Sequence, residues 1–413
     1  MLFKKLAFEN ASGETLAARL DLPPDEEPVA FALFAHCFTC SKNLRAVGNI
    51  ARALTRQGIA VLRFDFTGLG ESKGEFADTN FSSNVDDLRS AARMLADRFE
   101  APRILIGHSL GGAAVLRVAA SIPAAVAVAT IGAPFDPGHI RHLFEESIEE
   151  ISGEGSAVVN LGGRPFTIKR QFVADLAGHD PSEHIGRLGR ALAVFHSPFD
   201  RIVGIENAAR IFDAARHPKS FISLDNADHL LTREQDSLYV GHVISAWARK
   251  YIGVSQEEQK ETPVDDNRIV ARIGSDHFRT EILANGHSLV ADEPRSVGGT
   301  NQGATPYDLL VGALGACTAI TLRMYADRKE WPLDSVSVRL SHAKVHARDC
   351  DCDTEFSGMI DVIERELQLV GDLDVEQRSR LEQIANRCPV HRSLEGEVVV
   401  KTRLAPATDA NTD

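Results

Sequence analysis

The feature that most constrains this chain is a succession of short apolar runs along residues 1–252. They read "VAFALFAH", "GIAVLRFDF", "RILIGHS", "AVAVATIGA", "ALAVFHS" and "SFISLDN", with helical periodicity between them. A run of this length, apolar at nearly every position, suits a strand covered on both faces. Strands that alternate with helices build a parallel sheet, so the expected fold of this region is a doubly wound, mostly parallel α/β sheet.

A chain of 413 residues exceeds one ordinary core, and a second domain is expected. Composition changes at "VSQEEQKETPVDDNR", residues 254–268, which is charged, holds a proline and lacks an apolar period. The domains are therefore placed at 1–252 and 268–404, with a linker at 253–267 and a disordered tail at 405–413. In the second domain "FRTEILANGHSLVADE" reads as a hairpin across Asn285-Gly286. "TPYDLLVGALGACTAITLRMYADR" reads as a helix, "SVSVRLSHAKVHA" and "SGMIDVIERELQL" as long strands, residues 374–388 as a second helix, and "EGEVVVKTRL" as a last strand. Strands grouped around two helices describe an α+β domain.

The net charge of −13 argues against nucleic-acid partners and anionic membrane surfaces. The longest apolar run, residues 124–133, is about half of what a bilayer requires, so no membrane span is expected. The alternating N-terminus lacks the apolar stretch of a signal peptide. Six cysteines (37, 40, 317, 350, 352 and 388) are too few for a secreted disulfide framework, which points to a reduced, cytoplasmic chain.

"LIGHSLGG" sets Gly107-His108-Ser109-Leu110-Gly111 between an apolar strand and a helical run. Small residues there permit a sharp strand-to-helix turn that lifts Ser109 clear of the sheet. A serine hydroxyl needs a base and an orienting carboxylate, and both follow in loops just beyond apolar strands: Asp200 in "HSPFDR" and His229 in "NADHLLT". Asp225, Asp228 and His196 are the rival positions. With the loop "DFTGLGES" at 65–72, these motifs resemble the α/β-hydrolase superfamily over residues 1–252. The resemblance implies a serine hydrolase for small carboxylic esters or thioesters. It also implies an oxyanion hole from the backbone N–H groups of Leu110 and Phe38, and a cap at about 134–186. Where the family usually has His-Gly, this chain has His36-Cys37, and Cys37 with Cys40 is read as loop packing rather than redox or zinc chemistry.

In the second domain, Leu310 and positions 314, 317 and 321 share a helical spacing, which would turn Cys317 inward. Leu381, Ile384, Ala385 and Cys388 share a face of the second helix. On the residues alone Cys317 is either core filling or a nucleophile. "GATPYDLLVGALGACTA" and "CPVHRSLEGEV" resemble the OsmC/Ohr family of thiol-dependent hydroperoxide reductases over about 268–404. That resemblance implies an intertwined homodimer, with Cys317 as peroxidatic and Cys388 as resolving thiol. Organic hydroperoxide would be the substrate and a dithiol the reductant. The family's arginine–glutamate pair is not matched: the glutamate positions read Tyr307 and Asp308, and Arg295 is the candidate arginine. The other reading of this domain is a catalytically silent dimerising or binding module. His342, His346, Cys350 and Cys352 lack the spacing of a structural zinc site, and neither resemblance implies a metal or cofactor.

Overall fold

The computed structural model describes residues 2–23, 28–37, 40–161, 163–176, 181–253, 269–274, 277–285, 287–347 and 358–404. The expected linker and tail, and Phe38, Gly286, Cys350 and Cys352, lie outside the described residues. The chain divides into two compact units, Met1–Ser275 with Glu281–Leu289, and Asp276–Thr280 with Val290–Asp413.

The first unit is built on an eight-stranded sheet. Its strands are β1 (Leu2–Glu9), β2 (Thr15–Leu22), β3 (Ala30–Ala35), β4 (Ile59–Phe64), β5 (Ile104–His108), β6 (Ala127–Ile131), β9 (Ala191–His196) and β10 (Lys219–Ser223), in the order β1-β2-β4-β3-β5-β6-β9-β10. The β1–β2 and β2–β4 pairs are antiparallel and the rest parallel, which is the mostly parallel sheet expected. Alternate residues of each central strand enter opposite cores: Phe31 and Leu33 of β3 pack on one side, Ala32 and Phe34 on the other. This two-sided burial explains why the strands read as continuous apolar runs. Helices α1 (Arg45–Thr55) and α8 (Glu234–Ile252) supply one face; α2 (Phe81–Arg98) and α3 (Leu110–Val118) supply the other. Helix α7 (Glu206–Ala214) follows β9.

Between β6 and β9 the chain forms helix α4 (Ile148–Glu154), an antiparallel hairpin of β7 (Ser156–Leu161) and β8 (Arg164–Lys169), and helices α5 (Arg170–Leu176) and α6 (Pro181–Gly186). Phe144, Ile151, Ile168 and Phe172 of this insertion are buried in the α2–α3 core.

A three-stranded sheet joins β11 (Ile269–Ile273), β12 (Thr280–Ala284) and β13 (His287–Ala291), with Asn285 at positive φ as the expected turn requires. Helix α9 (Pro306–Arg328) starts at a capping box in which Thr305 and Asp308 satisfy each other's backbone N–H. It packs on the antiparallel ladder of β14 (Leu333–His346) and β15 (Met359–Gly371).

Two expectations for this domain are corrected. The second helix ends earlier, at Ala385 (α10, Val375–Ala385), and Pro389 opens a further helix, α11 (Pro389–Glu395). Proline at a first helical position costs no hydrogen bond, so the residue that looked like a stop is a start. Residues 396–404 form no strand, and Val398, Val399 and Val400 are exposed. Side-chain pattern makes a segment fit for a strand, but only a neighbouring edge makes it one. Helix α9 is long and apolar enough by length and composition alone to cross a membrane, a property that core helices of globular domains share. Only 28% of its most apolar window is buried.

Candidate functional site

Strand β5 delivers Ser109 to a turn that only a tight packing of glycines allows. Ser109 has φ 55° and ψ −127°, a conformation costly for a residue with a Cβ. A Cβ on Gly107 would lie 2.3 Å from the Gly111 carbonyl oxygen, and one on Gly112 would lie 2.5 Å from Cβ of Ala133. A Cβ on Gly111 would meet the carbonyl oxygens of Ala35 and His36 at 2.4 and 2.5 Å. The "G-H-S-L-G-G" stretch is thus the shape of the turn. Ser109 caps α3, and Leu110 is its first residue, so the Leu110 N–H is among the donors that a helix start leaves without an intrahelical acceptor.

Ser109, Asp200 and His229 converge. His229 Nδ1 donates to Asp200 Oδ2 at 2.7 Å, leaving Nε2 to accept from the Ser109 hydroxyl at 3.0 Å. Asp200 Oδ1 accepts the backbone N–H groups of Ile202 and Val203, both at 2.9 Å. Burial pushes the Asp200 carboxyl up, but its bonds with His229 and with these two N–H groups outweigh that and leave its pKa lowered. The carboxylate form of Asp200 is therefore favoured, and it faces the Nδ1–H of His229. Such a chain can take the proton of an attacking hydroxyl and return it to a leaving group.

The rivals have other tasks. His196 is buried and its Nε2 donates to the Val203 carbonyl at 2.7 Å. Asp225 accepts from Ser223 at 2.5 Å, and Asp228 accepts the Thr232 N–H at 2.9 Å.

In the second unit Cys317 and Cys388 are free thiols. Cys317 does not face inward as its spacing from Leu310 implied. The buried stripe of α9 is Val311, Leu314, Gly315, Thr318, Leu322 and Ala326, which leaves Cys317 half-buried on its flank. Cys388 is fully buried before α11, where its Sγ accepts the His391 N–H at 3.3 Å and the Thr318 hydroxyl at 3.7 Å. Arg365 Nη1 donates to Thr318 Oγ1 and to the Ala385 carbonyl, both at 3.1 Å. Arg295 sits exposed at the start of a short 3₁₀ turn, and no described hydrogen bond or ion pair joins it to Cys317.

The sequence comparisons agree with this division. The serine aminopeptidase S33 family matches residues 28–151, and the OsmC-like protein family matches residues 299–403. The crystal structure of the esterase domain from a Rhodothermus marinus protein is 58% identical, with TM-score 0.52, covering 61% of this chain and 100% of that one. This chain belongs to the α/β-hydrolase superfamily, joined to an OsmC-like domain. The mitochondrial palmitoyl-protein thioesterase ABHD10 of Rattus norvegicus is 28% identical over 188 residues, 43% of this chain and 62% of its own length. Monoacylglycerol lipase of Mycolicibacterium smegmatis is 27% identical over 177 residues, 41% of this chain and 62% of its own. The chain thus spans about three fifths of the length of these curated relatives.

The hydrolase domain also uses residues that sequence reading passed over. His108 Nε2 donates to the His229 carbonyl at 2.7 Å and so holds the histidine loop. Burial, with the neighbouring His229, lowers its pKa to about 3, so it stays neutral across the range in which enzymes work. Gly132, at positive φ, leaves the space beside Asp200 and His229: a Cβ there would lie 3.2 Å from Asp200 Oδ2. Neither residue has a pattern of its own in the sequence, because each acts across the fold. Cys37 and Cys40 depart from the reduced, loop-packing expectation and form a disulfide, their Cα atoms 5.3 Å apart.

Asp200→Asn would keep the shape of the site while supplying an amide where His229 Nδ1–H needs an acceptor. Its kcat for a short-chain ester should fall on the order of 10⁴-fold with little change in thermal stability. A fall below tenfold in steady-state assays would remove Asp200 from the site.

Proposed function

We propose that the first domain hydrolyses carboxylic esters or thioesters through Ser109, His229 and Asp200. The observation that carries this reading is the continuous bond path from Asp200 through His229 to a serine held at positive φ. Ser109 attacks the acyl carbon while His229 takes its proton, and Asp200 holds the imidazole in the tautomer that can accept it. The Leu110 N–H is assigned as the first oxyanion donor and that of Phe38 as the second, each by its place in the motif. The relatives named as a thioesterase and a lipase support acyl transfer to water as the reaction class. Ser109→Ala should lower p-nitrophenyl ester hydrolysis by about three orders of magnitude or more, since the three residues act as a unit. A variant at the wild-type rate would falsify the assignment.

For the OsmC-like domain the reading is a thiol-dependent hydroperoxide reductase. Cys317, half-buried beside an exposed stripe, is the thiol a hydroperoxide reaches; Cys388, buried under Thr318, is the one that resolves it. The Cys317 thiolate attacks the O–O bond, an alcohol leaves, and a sulfenic acid remains. The Cys388 thiol condenses with it, releasing water and forming a disulfide that an external dithiol reduces. Arg295 is retained as the candidate cation for the Cys317 thiolate. With an alkyl hydroperoxide and a dithiol, Cys317→Ser should abolish turnover, and Cys388→Ser should stop after one equivalent with a trappable sulfenic acid. Thiols that stay reduced under peroxide, by mass spectrometry, would instead support the silent module.

The same domain is read as a homodimer. Leu310, Ile320 and Met324 form an exposed apolar stripe on α9, at 41%, 59% and 67% exposure. The β14–β15 ladder has two strands, and residues 396–404 carry strand-forming side chains without a strand partner. A second copy would cover the stripe and pair the open edges. Light scattering of the full chain should give twice the chain mass, and Ile320→Asp with Met324→Asp should return it to one. A monomeric wild type would rule this out.

A further inference from the structure

Cys388 is enclosed by groups that suit a thiolate better than a thiol. Its Sγ accepts the His391 N–H at 3.3 Å, and the Thr318 hydroxyl lies 3.7 Å away. Cys388 and Thr318 are both fully buried. Thr318 Oγ1 in turn accepts from Arg365 Nη1 at 3.1 Å, which puts a guanidinium one hydroxyl away from the sulfur. Arg365 stands on β15, Thr318 on α9 and Cys388 just before α11, so three separate segments make this junction.

The partners of Arg365 are neutral. Besides Thr318 it donates to the Ala385 carbonyl at 3.1 Å and to Asn386 Oδ1 at 2.5 Å, and among the described residues it pairs with no carboxylate. Closing the carbonyl end of α10 would by itself account for the bonds to Ala385 and Asn386. It does not account for the bond to Thr318, which belongs to another helix. The Thr318 hydroxyl has one proton and two acceptors for it, the Leu314 carbonyl at 2.8 Å and Cys388 Sγ. A neutral thiol accepts weakly and leaves the proton on the carbonyl. A thiolate draws it over, and the charge of Arg365 on the same oxygen strengthens that donation. Other charges on the surrounding elements are engaged elsewhere or exposed. His391 Nε2 meets Glu395 at 3.0 Å, Arg323 of α9 donates to the Leu333 and Asp334 carbonyls, and Arg378 of α10 donates to the Leu369 and Gly371 carbonyls. Glu382 of α10 lines the open groove beside Arg365, and Arg387 and Arg392 are exposed.

We propose that Arg365, acting through Thr318, is the positioning residue that holds Cys388 as a thiolate and so speeds its attack on the Cys317 sulfenic acid. This rests on the hydroperoxide reductase reading above. Thr318 follows Cys317 on α9, so Cys388 touches the residue next to its reaction partner. In the step, the Cys388 thiolate forms the S–S bond as the S–O bond of the sulfenic acid breaks. The Cys388 sulfur is oxidised and the sulfenic sulfur reduced, while hydroxide leaves and takes a proton from solvent to give water. An external dithiol then restores both thiols.

The test uses the full chain with Arg365→Gln and with Thr318→Val, and Arg387→Gln as the control for general loss of positive charge. Two quantities are followed across pH. One is the rate of Cys317–Cys388 disulfide formation after one equivalent of cumene hydroperoxide, by rapid quench and mass spectrometry. The other is the ultraviolet absorbance of the Cys388 thiolate, taken for each protein as the difference between its Cys317→Ser form and its Cys317→Ser, Cys388→Ser form. In both test variants the thiolate fraction near neutrality should fall about tenfold. Resolution should be only about threefold slower there, because a less stabilised thiolate is the stronger nucleophile. At alkaline pH, where the thiol is ionised in every protein, the same variants should resolve about threefold faster than wild type, so that the profiles cross. Sulfenic acid formation on Cys317 should keep its wild-type rate. A residue that only supports the fold would slow resolution by one factor at every pH, and that result overturns the inference. So does a wild-type profile in either folded variant, or an equal shift in Arg387→Gln. The absorbance requires no peroxide. The expected absorbance shift in a protein whose thiols stay reduced under peroxide would therefore overturn the reductase reading while keeping the link from Arg365 to Cys388.

Discussion

The first domain depends on one close approach: the backbone of α3 at Gly111 against the carbonyls that end β3. No Cβ fits between them. That contact sets how far the nucleophile turn lies from the segment after β3, and it requires the parallel sheet to place β3 beside β5. The strained Ser109 is the consequence. Its positive φ is held by glycines on either side and by two cores that leave the turn no room to relax. Packed cores on both faces of the sheet hold the turn in place.

Electrostatics then divides labour among several buried histidines. Among the described residues, His229 is the histidine that joins a carboxylate on one nitrogen and a hydroxyl on the other. His108 and His196 each donate to a backbone carbonyl, and burial lowers both pKa values, so neither adds a charge beside the imidazolium that catalysis would form. Neutral histidines are useful as struts because they supply a directed donor without bringing a counter-ion requirement.

The OsmC-like domain presents the opposite balance. Its principal core is a cluster of seven buried apolar residues, among them Leu322, Leu381 and Ile384. Only 28% of the most apolar window of its longest helix is buried. The thiols follow the same asymmetry: one is sealed beneath Thr318, and the other is open on the flank.

How much of this was legible in advance follows from what each signal measures. Continuous apolar runs report burial on two faces, so β3, β4, β5, β6 and β9 were readable, whereas the edge strand β10 is only partly buried; the strand-turn-helix setting made Ser109 readable with them. Asp200 and His229 could be located because sites in parallel sheets gather in the loops after strands. Tertiary structure alone decided which face of α9 is covered: shifting the stripe by a single residue moves Cys317 from interior to flank, and the neighbouring ladder, not the helix, chooses the shift. It alone joined Lys42 to Asp65, brought His108 to the His229 carbonyl, and left residues 396–404 without a partner strand. The physical reason is common to these cases. A sequence carries the local periods of burial and the chemistry of each side chain, whereas a hydrogen bond or a packing face belongs to two segments and exists only once the chain has brought them together.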